Sequence, residues 1–572
     1  MRNLNYFLLI VFSIASYAQS YIDYKSPFHP AVSNLGMVVS QNEISSSIGI
    51  EILDKGGNAV DAAVAVGFSL AITLPRAGSL GGGGFMLVYI KEKNEIFFID
   101  YRSRSPLNSN LKDLFKKELP KDYKKVDFDI VKYGYKASAV PGTVAGLLEA
   151  HEKFGKLPLK EVIEPAIRIA NSGIEVTYDL HQAIKSTKSL FNDPESRKIY
   201  FNNNIPLEIG SNIKMPDLAK TLSLIANKGR SGFYDGEIKD KIISSMYKNN
   251  GFFSDKDFNN YTVEIASPIV GSYRDHYVFT AGPPSGGGVV LLTALNMLSF
   301  FDMKKYTSNS STTYHLLAEA LRRGHNNRSH FIGDPNFFSV PTEQLLSKER
   351  SIELANNISF NKATPSTKIK PLKVLNESRV TTHYSIIDKY GNAVSNTYTL
   401  GYSFGSGVTI PGTGILMNNQ MSNFAYRYGD ESVSGRTASP GNKFEPGKKP
   451  MSTMAPTMVF NKKGDLILIT GSPGGSYIPA AILRVVSGII DYDLNIGEAT
   501  MLTRIHKDWP YSGLDYETTL SNDIIRTLDA LGHRPEVNKT MGSTQSIHIN
   551  KGVNYGYADL RRPNASVAIQ KQ

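Results

Sequence analysis

The chain contains no cysteine in 572 residues. That absence excludes thiolate catalysis, cysteine-ligated zinc and disulfide staples. A chain this long can rely instead on a large apolar core. Concentrated charge is also missing. The net charge is +11, but Lys and Arg are scattered, in pairs such as Lys116-Lys117, Lys124-Lys125 and Lys448-Lys449. With no arginine-rich arm and no basic helix, the surface reads as solvated and no nucleic-acid partner is expected. None of the eleven histidines falls in an HExxH pairing: His151-Glu152 meets Gly155 where the second histidine would stand. No metal and no cofactor are therefore expected. Beyond the N-terminus there is no long apolar run, since the stretch 59–72 is broken by Asp61 and Gly67. No membrane span is expected once the N-terminal segment is gone.

That N-terminal segment reads as a secretory signal. Arg2 supplies the positive start, 6–15 is nearly all apolar, and Ser16-Tyr17-Ala18 is a small-x-small cleavage site before Gln19. Residues 1–18 are expected to be removed and the protein exported, to a periplasm or the exterior. Hydrophobic residues at 41% and charged residues at 20% are ordinary globular values.

The rest is organised around TTHYSIIDKYGNAVSNTYTL, 381–400. It reads as two strands, Thr381 to Asp388 and Ala393 to Leu400. The turn between them is of type I, with Gly391 at the position that needs positive φ. Pairing Asp388 with Asn392 sets Thr381 opposite Thr399, within about a residue. Two hydroxyls then face each other. That pattern fits an ordinary Thr–Thr cross-strand pair and also a reactive one.

Around the hairpin, helices are expected over 43–55, 59–72, 143–155, 158–172, 216–228, 236–249, 289–298, 313–323 and 480–490. Strands are expected over 85–90, 96–101, 277–281, 457–460 and 465–470. Asn58 is a candidate helix cap. Four consecutive glycines, Gly81 to Gly84, imply that another backbone or a ligand comes very close. The polar, Lys/Pro/Thr/Asn-rich stretch 361–380 reads as a linker running directly into Thr381. Strands and helices mix without βαβ alternation, which points to α+β layers.

Three chemistries are open. Gly401-Tyr402-Ser403-Phe404-Gly405 matches G-x-S-x-G, but that motif needs a helix after the serine, and Gly-Ser-Gly-Val-Thr-Ile-Pro follows. Gly471 to Ser476 leads from a strand into a helix and fits an anion site, yet it lacks the P-loop lysine; a Gly-Gly pair there equally suits an oxyanion. Thirdly, Thr381 becomes a nucleophile if the bond from Val380 is cut, because a free α-amine can serve as base for its own hydroxyl.

The ordered motifs add a family. GGNAVDAAVAVGFSLAITLPRAGSLGGGGFMLV at 56–88, DYRSRSP at 100–106, VPGTVAGL at 140–147 and PPSGGG at 283–288 come first. TTHYS at 381–385, GILMNNQMSNF at 414–424, KPMSTMAPT at 449–457, GSPGGS at 471–476 and MGSTQSI at 541–547 follow. Together they resemble γ-glutamyltranspeptidases, self-cleaving hydrolases of the N-terminal-nucleophile type. The resemblance implies a four-layer αββα sandwich and cleavage before Thr381, giving a large subunit 19–380 and a small subunit 381–572. It implies Thr381 as nucleophile, Thr399 bonded to its hydroxyl, and Gly474 and Gly475 as oxyanion donors. Arg102, assisted by Ser452 and Thr453, would hold the substrate α-carboxylate, Gln420 and Asn423 would lie near its amine, and 425–450 would form a lid. It implies a small-molecule γ-glutamyl amide such as glutathione as donor, and an amino acid, peptide or water as acceptor. Two positions depart: Gly401 stands where the family has Asn, and Asn423 where it has Asp. The lid also has Ser434 about where the family has tyrosine, with Tyr426 and Tyr428 nearby. These departures leave a second reading, an acylase of the same fold acting on glutaryl or other amides without an α-amino group. A secreted binding protein without catalysis is disfavoured by the presence of Thr381, Thr399 and Gly474-Gly475.

Overall fold

A computed structural model describes residues 26–114, 129–369, 380–426, 439–511, 513–538 and 540–571. The signal segment 1–18, linker residues 370–379 and lid residues 427–438, with Tyr428 and Ser434, lie outside the described residues.

Two seven-stranded antiparallel sheets form the centre. The first runs, edge to edge, Ser566–Ile569, Met37–Ser40, Val380–Ile387, Ala393–Gly401, Gly83–Ile90, Glu95–Tyr101 and Glu264–Ala266. The second runs Ala31–Ser33, Val553–Ala558, Gln545–Asn550, Leu466–Thr470, Thr457–Asn461, His276–Thr280 and Ile269–Tyr273. Side chains alternate across a strand. Along Gly83–Ile90, Phe85, Leu87 and Tyr89 accordingly join the core shared with the second sheet, while Met86 and Val88 join the core under helices Glu43–Asp54, Ala59–Thr73 and Thr143–Phe154. Helices Gly287–Leu298 and Ile478–Ile490 pack with the core of the second sheet. The layers are thus helix, sheet, sheet, helix, the α+β sandwich expected. No helix of the described residues is long and apolar enough to cross a membrane.

The hairpin lies at the middle of the first sheet, so both its faces are covered. Its register is Ser385 opposite Ser395 and Ile387 opposite Ala393, with Gly391 at φ +86°. Asp388 fastens the turn: its carboxylate accepts the N–H groups of Tyr390 (2.8 Å) and Asn392 (3.0 Å). It also accepts Ala59 N–H at 3.0 Å, at the start of the helix capped by Asn58. A carboxylate at that end also complements the helix dipole.

One helix differs from expectation. Ser311–Phe331 runs a further eight residues past Arg323. The added turns, Gly324 to Phe331, are mostly polar and nearly all buried. An apolar period cannot reveal a helix whose buried face is polar.

Candidate active site

Near its N-terminal end the hairpin register slips. Thr382 pairs with Tyr398 but Val380 with Gly401, so Thr381 opposes both Thr399 and Leu400. Such a bulge re-aims side chains and is common beside active sites. Thr381 and Thr399 are 7% and 5% exposed and line one narrow cleft, with about 30 Å³ of free volume. Arg102, Gly401, Asn423, Ser452, Thr453, Met454, Gly475 and Ile478 complete its lining. Residues separated by hundreds of positions in sequence are thus brought together.

The four glycines explain how Thr399 is reached. Thr399 pairs with Gly83 and Tyr398 with Gly84. A Cβ on Gly82 would stand 2.5 Å from Thr399 O, and one on Gly84 2.4 Å from the Tyr398 Cβ. Any side chain there would push the catalytic strand away. The Thr399 hydroxyl oxygen accepts Gly401 N–H at 2.8 Å, which leaves its proton for a second partner.

The anion side is the Gly471–Ser476 loop, whose Gly474 and Gly475 both have positive φ, +130° and +57°. A short 3-10 turn, Gly475–Tyr477, and then helix Ile478–Ile490 follow. The first amides of such a turn have no partner within it and are available to an oxyanion. The MGSTQSI segment braces this loop: Ser543 N–H donates to Ser472 Oγ at 2.9 Å, and Gln545 N–H to Gly471 O at 3.2 Å. His383, two residues beyond Thr381, fills the space beside Gly471, where a Cβ would stand 2.3 Å from the imidazole. Burial pushes that imidazole down to about 3, so it is neutral; its nitrogens meet the hydroxyls of Thr397 (2.8 Å) and Ser385 (3.1 Å).

Arg102 is 1% exposed. Its Nε donates to Pro450 O at 3.1 Å and its Nη2 to Met451 O at 3.2 Å. Its backbone is held by Asp100 Oδ1 (2.8 Å to Arg102 N) and by the Tyr261 hydroxyl (2.9 Å to Arg102 O). Asp100 in turn pairs with buried Lys449 at 2.7 Å, and Lys449 with Glu264 at 2.8 Å. Burial works against the Lys449 charge, but the Asp100 and Glu264 carboxylates outweigh it and hold the amine above its ordinary range. Ser452 and Thr453 rest on the PPSGGG loop: Ser452 N–H donates to Pro284 O (3.1 Å) and Gly286 N–H to Ser452 O (2.9 Å). Arg328 Nη2 donates to Thr453 Oγ1 at 3.2 Å.

At the opposite end the arrangement differs. Gln420 is fully buried and absent from the cleft lining. Its Nε2 donates to Thr399 O at 2.7 Å and its Oε1 accepts the Ser103 hydroxyl. Gln420 therefore holds the strand that carries Thr399. Gly401 has φ +104°, and a Cβ on it would lie 2.2 Å from Asn419 Oδ1, which accepts Tyr402 N–H at 2.9 Å. Asn423 lines the cleft, and none of the described lining residues carries a carboxylate.

Asn418, Asn419, Lys449 and the bracing segment 541–545 fall inside the quoted motifs, but the sequence assigns them no role. Asn418 alone ties Gly81 O and Ala139 O (both 2.7 Å) to the site. Such long-range amide ties leave no periodic signal. Ser403 lies elsewhere, in a cavity of about 860 Å³ whose lining has no histidine, and the chain after it turns without forming a helix. The serine-hydrolase reading fails on both grounds.

Residues 45–569 match the family described as Gamma-glutamyltranspeptidase. A glutathione hydrolase proenzyme of Escherichia coli (strain K12) is 41% identical over 93% of this chain and 92% of its own length. An acylase ACY 1 proenzyme of Pseudomonas sp. (strain V22) is 33% identical over 96% of both chains. Among solved structures, a cephalosporin acylase from Bacillus halodurans superposes with TM-score 0.82 at 27% identity, covering 98% of this chain and 100% of that one. A Helicobacter pylori gamma-glutamyltranspeptidase chain gives TM-score 0.55 at 33% identity, over 61% of this chain and 97% of that one. With the motif order, the sandwich and the threonine cleft agreeing with a match that spans nearly its whole length, the chain belongs to the γ-glutamyltranspeptidase family.

Proposed function

We propose that this protein is an exported, self-processing acyl transferase and hydrolase of γ-glutamyl amides such as glutathione. Thr381 attacks through a covalent acyl-enzyme, and an amino acid, peptide or water accepts the acyl group. The observation that carries the reading is the convergence of Thr381, Thr399, Gly475 and Arg102 on one cleft.

The steps follow from the groups present. In the uncut chain, the Thr381 hydroxyl attacks the Val380 carbonyl carbon. The peptide C–N bond breaks, an ester forms, and water opens it. Subunits 19–380 and 381–572 result, and Thr381 gains a free amine. In turnover that amine takes the hydroxyl proton as Oγ attacks the γ-carbonyl carbon. Gly474 and Gly475 N–H groups stabilise the oxyanion, each such donor being worth about 2.7–4 kcal/mol. The leaving amine takes the proton and departs. The acceptor then attacks the ester and restores Thr381. Arg102 and the hydroxyls of Ser452 and Thr453 orient the substrate α-carboxylate, a task suited to a guanidinium. Support for processing comes from the relatives, which are named proenzymes, and from the Helicobacter pylori chain, which is matched by a share of this one close to that preceding Thr381.

The acylase reading retains a specific support: Gly401 lacks a side chain and Asn423 carries a neutral one where an α-ammonium group would be faced, and no carboxylate stands among the described residues of the cleft lining. The enzyme is therefore proposed to accept glutaryl amides beside γ-glutamyl ones. N-terminal sequencing of the smaller fragment tests the central step. A start at Thr381, lost together with activity in Thr381→Ala, is expected. Another start, or cleavage that persists in Thr381→Ala, contradicts it.

A further inference from the structure

The polar end of helix Ser311–Phe331 meets the small-subunit half of the chain at three buried donors. His325 lies on that helix, His506 on the short strand Ile505–His506, and Asp508 two residues further on. They are 0%, 2% and 5% exposed. Their ligand atoms all lie within 4.8 Å of one another. Asp508 stands between the rings: Oδ1 is 3.3 Å from His325 Nδ1, and Oδ2 is 3.7 Å from His506 Nε2. The imidazoles meet edge to face, with centroids 5.0 Å apart.

The distances discriminate between two arrangements. A His–Asp–His hydrogen-bond chain would hold each N···O near 2.7–3.2 Å. Here both distances, 3.3 and 3.7 Å, exceed that range. Donors that share a zinc-sized ion through bonds of about 2.0–2.1 Å at tetrahedral angles stand about 3.3–3.5 Å apart, a spacing that the first contact meets and the second exceeds by a small shift of one side chain. The donor set points the same way. Two imidazoles and one carboxylate suit zinc and its transition-metal neighbours, whereas magnesium and calcium prefer all-oxygen shells. Outer contacts also fix the ligands. Trp509 N–H donates to Asp508 Oδ1 at 2.8 Å, and the Tyr477 ring packs edge-on against His506 at 4.8 Å. Nearby cations have partners of their own: Lys507 donates to His533 O at 3.1 Å, and Arg322 pairs with Glu319 at 2.9 Å.

We propose that His325, His506 and Asp508 bind one divalent transition-metal ion of the zinc type, with water in the fourth position. No motif announces this site, because the ligands come from distant segments without metal-motif spacing. His325 precedes Thr381 and the other two follow it, so the ion ties together the two chains that cleavage produces. That consequence rests on the processing reading; metal binding itself does not. In a protein without cysteine, such a site does the work of an inter-chain disulfide.

The test is Zn²⁺ titration by calorimetry on tag-free, chelator-stripped mature protein, with Co²⁺ absorption as a second readout. Binding of about one equivalent per chain pair is expected, with the visible bands of tetrahedral cobalt. Asp508→Asn and His325→Gln, each checked for fold by circular dichroism, should weaken binding beyond the roughly 10–100-fold that loss of an outer partner costs. Uncut Thr381→Ala protein should bind equally well, so failure of the processing reading would be seen separately. Absence of stoichiometric binding in the wild type, or binding that survives both ligand variants, overturns the proposal.

Discussion

The two ends of the catalytic cleft are built on different principles. At the Arg102 end the guanidinium is pinned by two carbonyls, its backbone by a carboxylate and a phenol, and that carboxylate by Lys449, which Glu264 holds in turn. At the Gly401 end there is a glycine in the left-handed region, a neutral Asn423 and, among the described lining residues, no carboxylate. The first end is rigid and charged, and suits one ligand group, a carboxylate. The second is neutral and lacks a side chain at one position, so it discriminates weakly. On the proposed reading, substrate choice depends on the less constrained end, while binding strength depends on the braced one.

The comparison can be broken first at Arg102. Arg102→Gln should lower kcat/KM for γ-glutamyl and glutaryl substrates alike by about 10²–10³-fold, because a buried charge partner worth about 3–5 kcal/mol is lost. A loss confined to one substrate class would contradict the symmetry of that end. Next comes Lys449→Met, which strands the Asp100 and Glu264 carboxylates. It should destabilise the fold by roughly 3 kcal/mol in urea titration and raise KM more than it lowers kcat. An unchanged KM would show that Arg102 needs no such support.

The other end sharpens the contrast. Asn423→Asp restores a charge partner and should raise kcat/KM for γ-glutamyl amides about 10-fold or more, while lowering it for glutaryl amides. Gly401→Ala should act on stability before specificity. Its left-handed φ and the approach to Asn419 Oδ1 cost about 1–2 kcal/mol, readable as a fall in Tm. The last test concerns His383, which stands beside Gly471 and touches neither end. Its folded pKa is depressed to about 3 by burial. The unfolded chain therefore binds a proton that the folded one refuses. Its contribution to stability is complete above about pH 6.5 and is lost as pH falls from there towards 3, with a slope of up to about 1.4 kcal/mol per pH unit. His383→Gln should flatten that acid limb in denaturant titrations at several pH values.

Much of this molecule could be read from its residues. The hairpin register, the closing glycine of its turn and the need for close approach at Gly81 to Gly84 all follow from local rules, and the cleft contains Thr381 and Thr399 as that register requires. What escaped has a common physical cause. Gln420 looks like a substrate contact in sequence, but its amide is occupied by Thr399 O and Ser103, partners fixed only by the tertiary fold. The helix expected over 313–323 stops short of Phe331 because the last turns of Ser311–Phe331 bury His325, Asn327 and Arg328 in place of leucines. Lys449 reads as one of a surface pair, yet it is buried between two carboxylates that arrive from distant strands. Buried polar residues satisfied at long range leave no periodic trace.

The central claim is that one end of the cleft demands a carboxylate while the other scarcely registers an amine. It is tested most directly by kcat/KM of the mature wild-type enzyme for a matched pair of anilides, γ-glutamyl and glutaryl. The account predicts values within about tenfold of each other, equivalent to about 1.4 kcal/mol. A preference for the γ-glutamyl anilide of more than about a hundredfold would mean that another residue supplies the missing charge, and would contradict it.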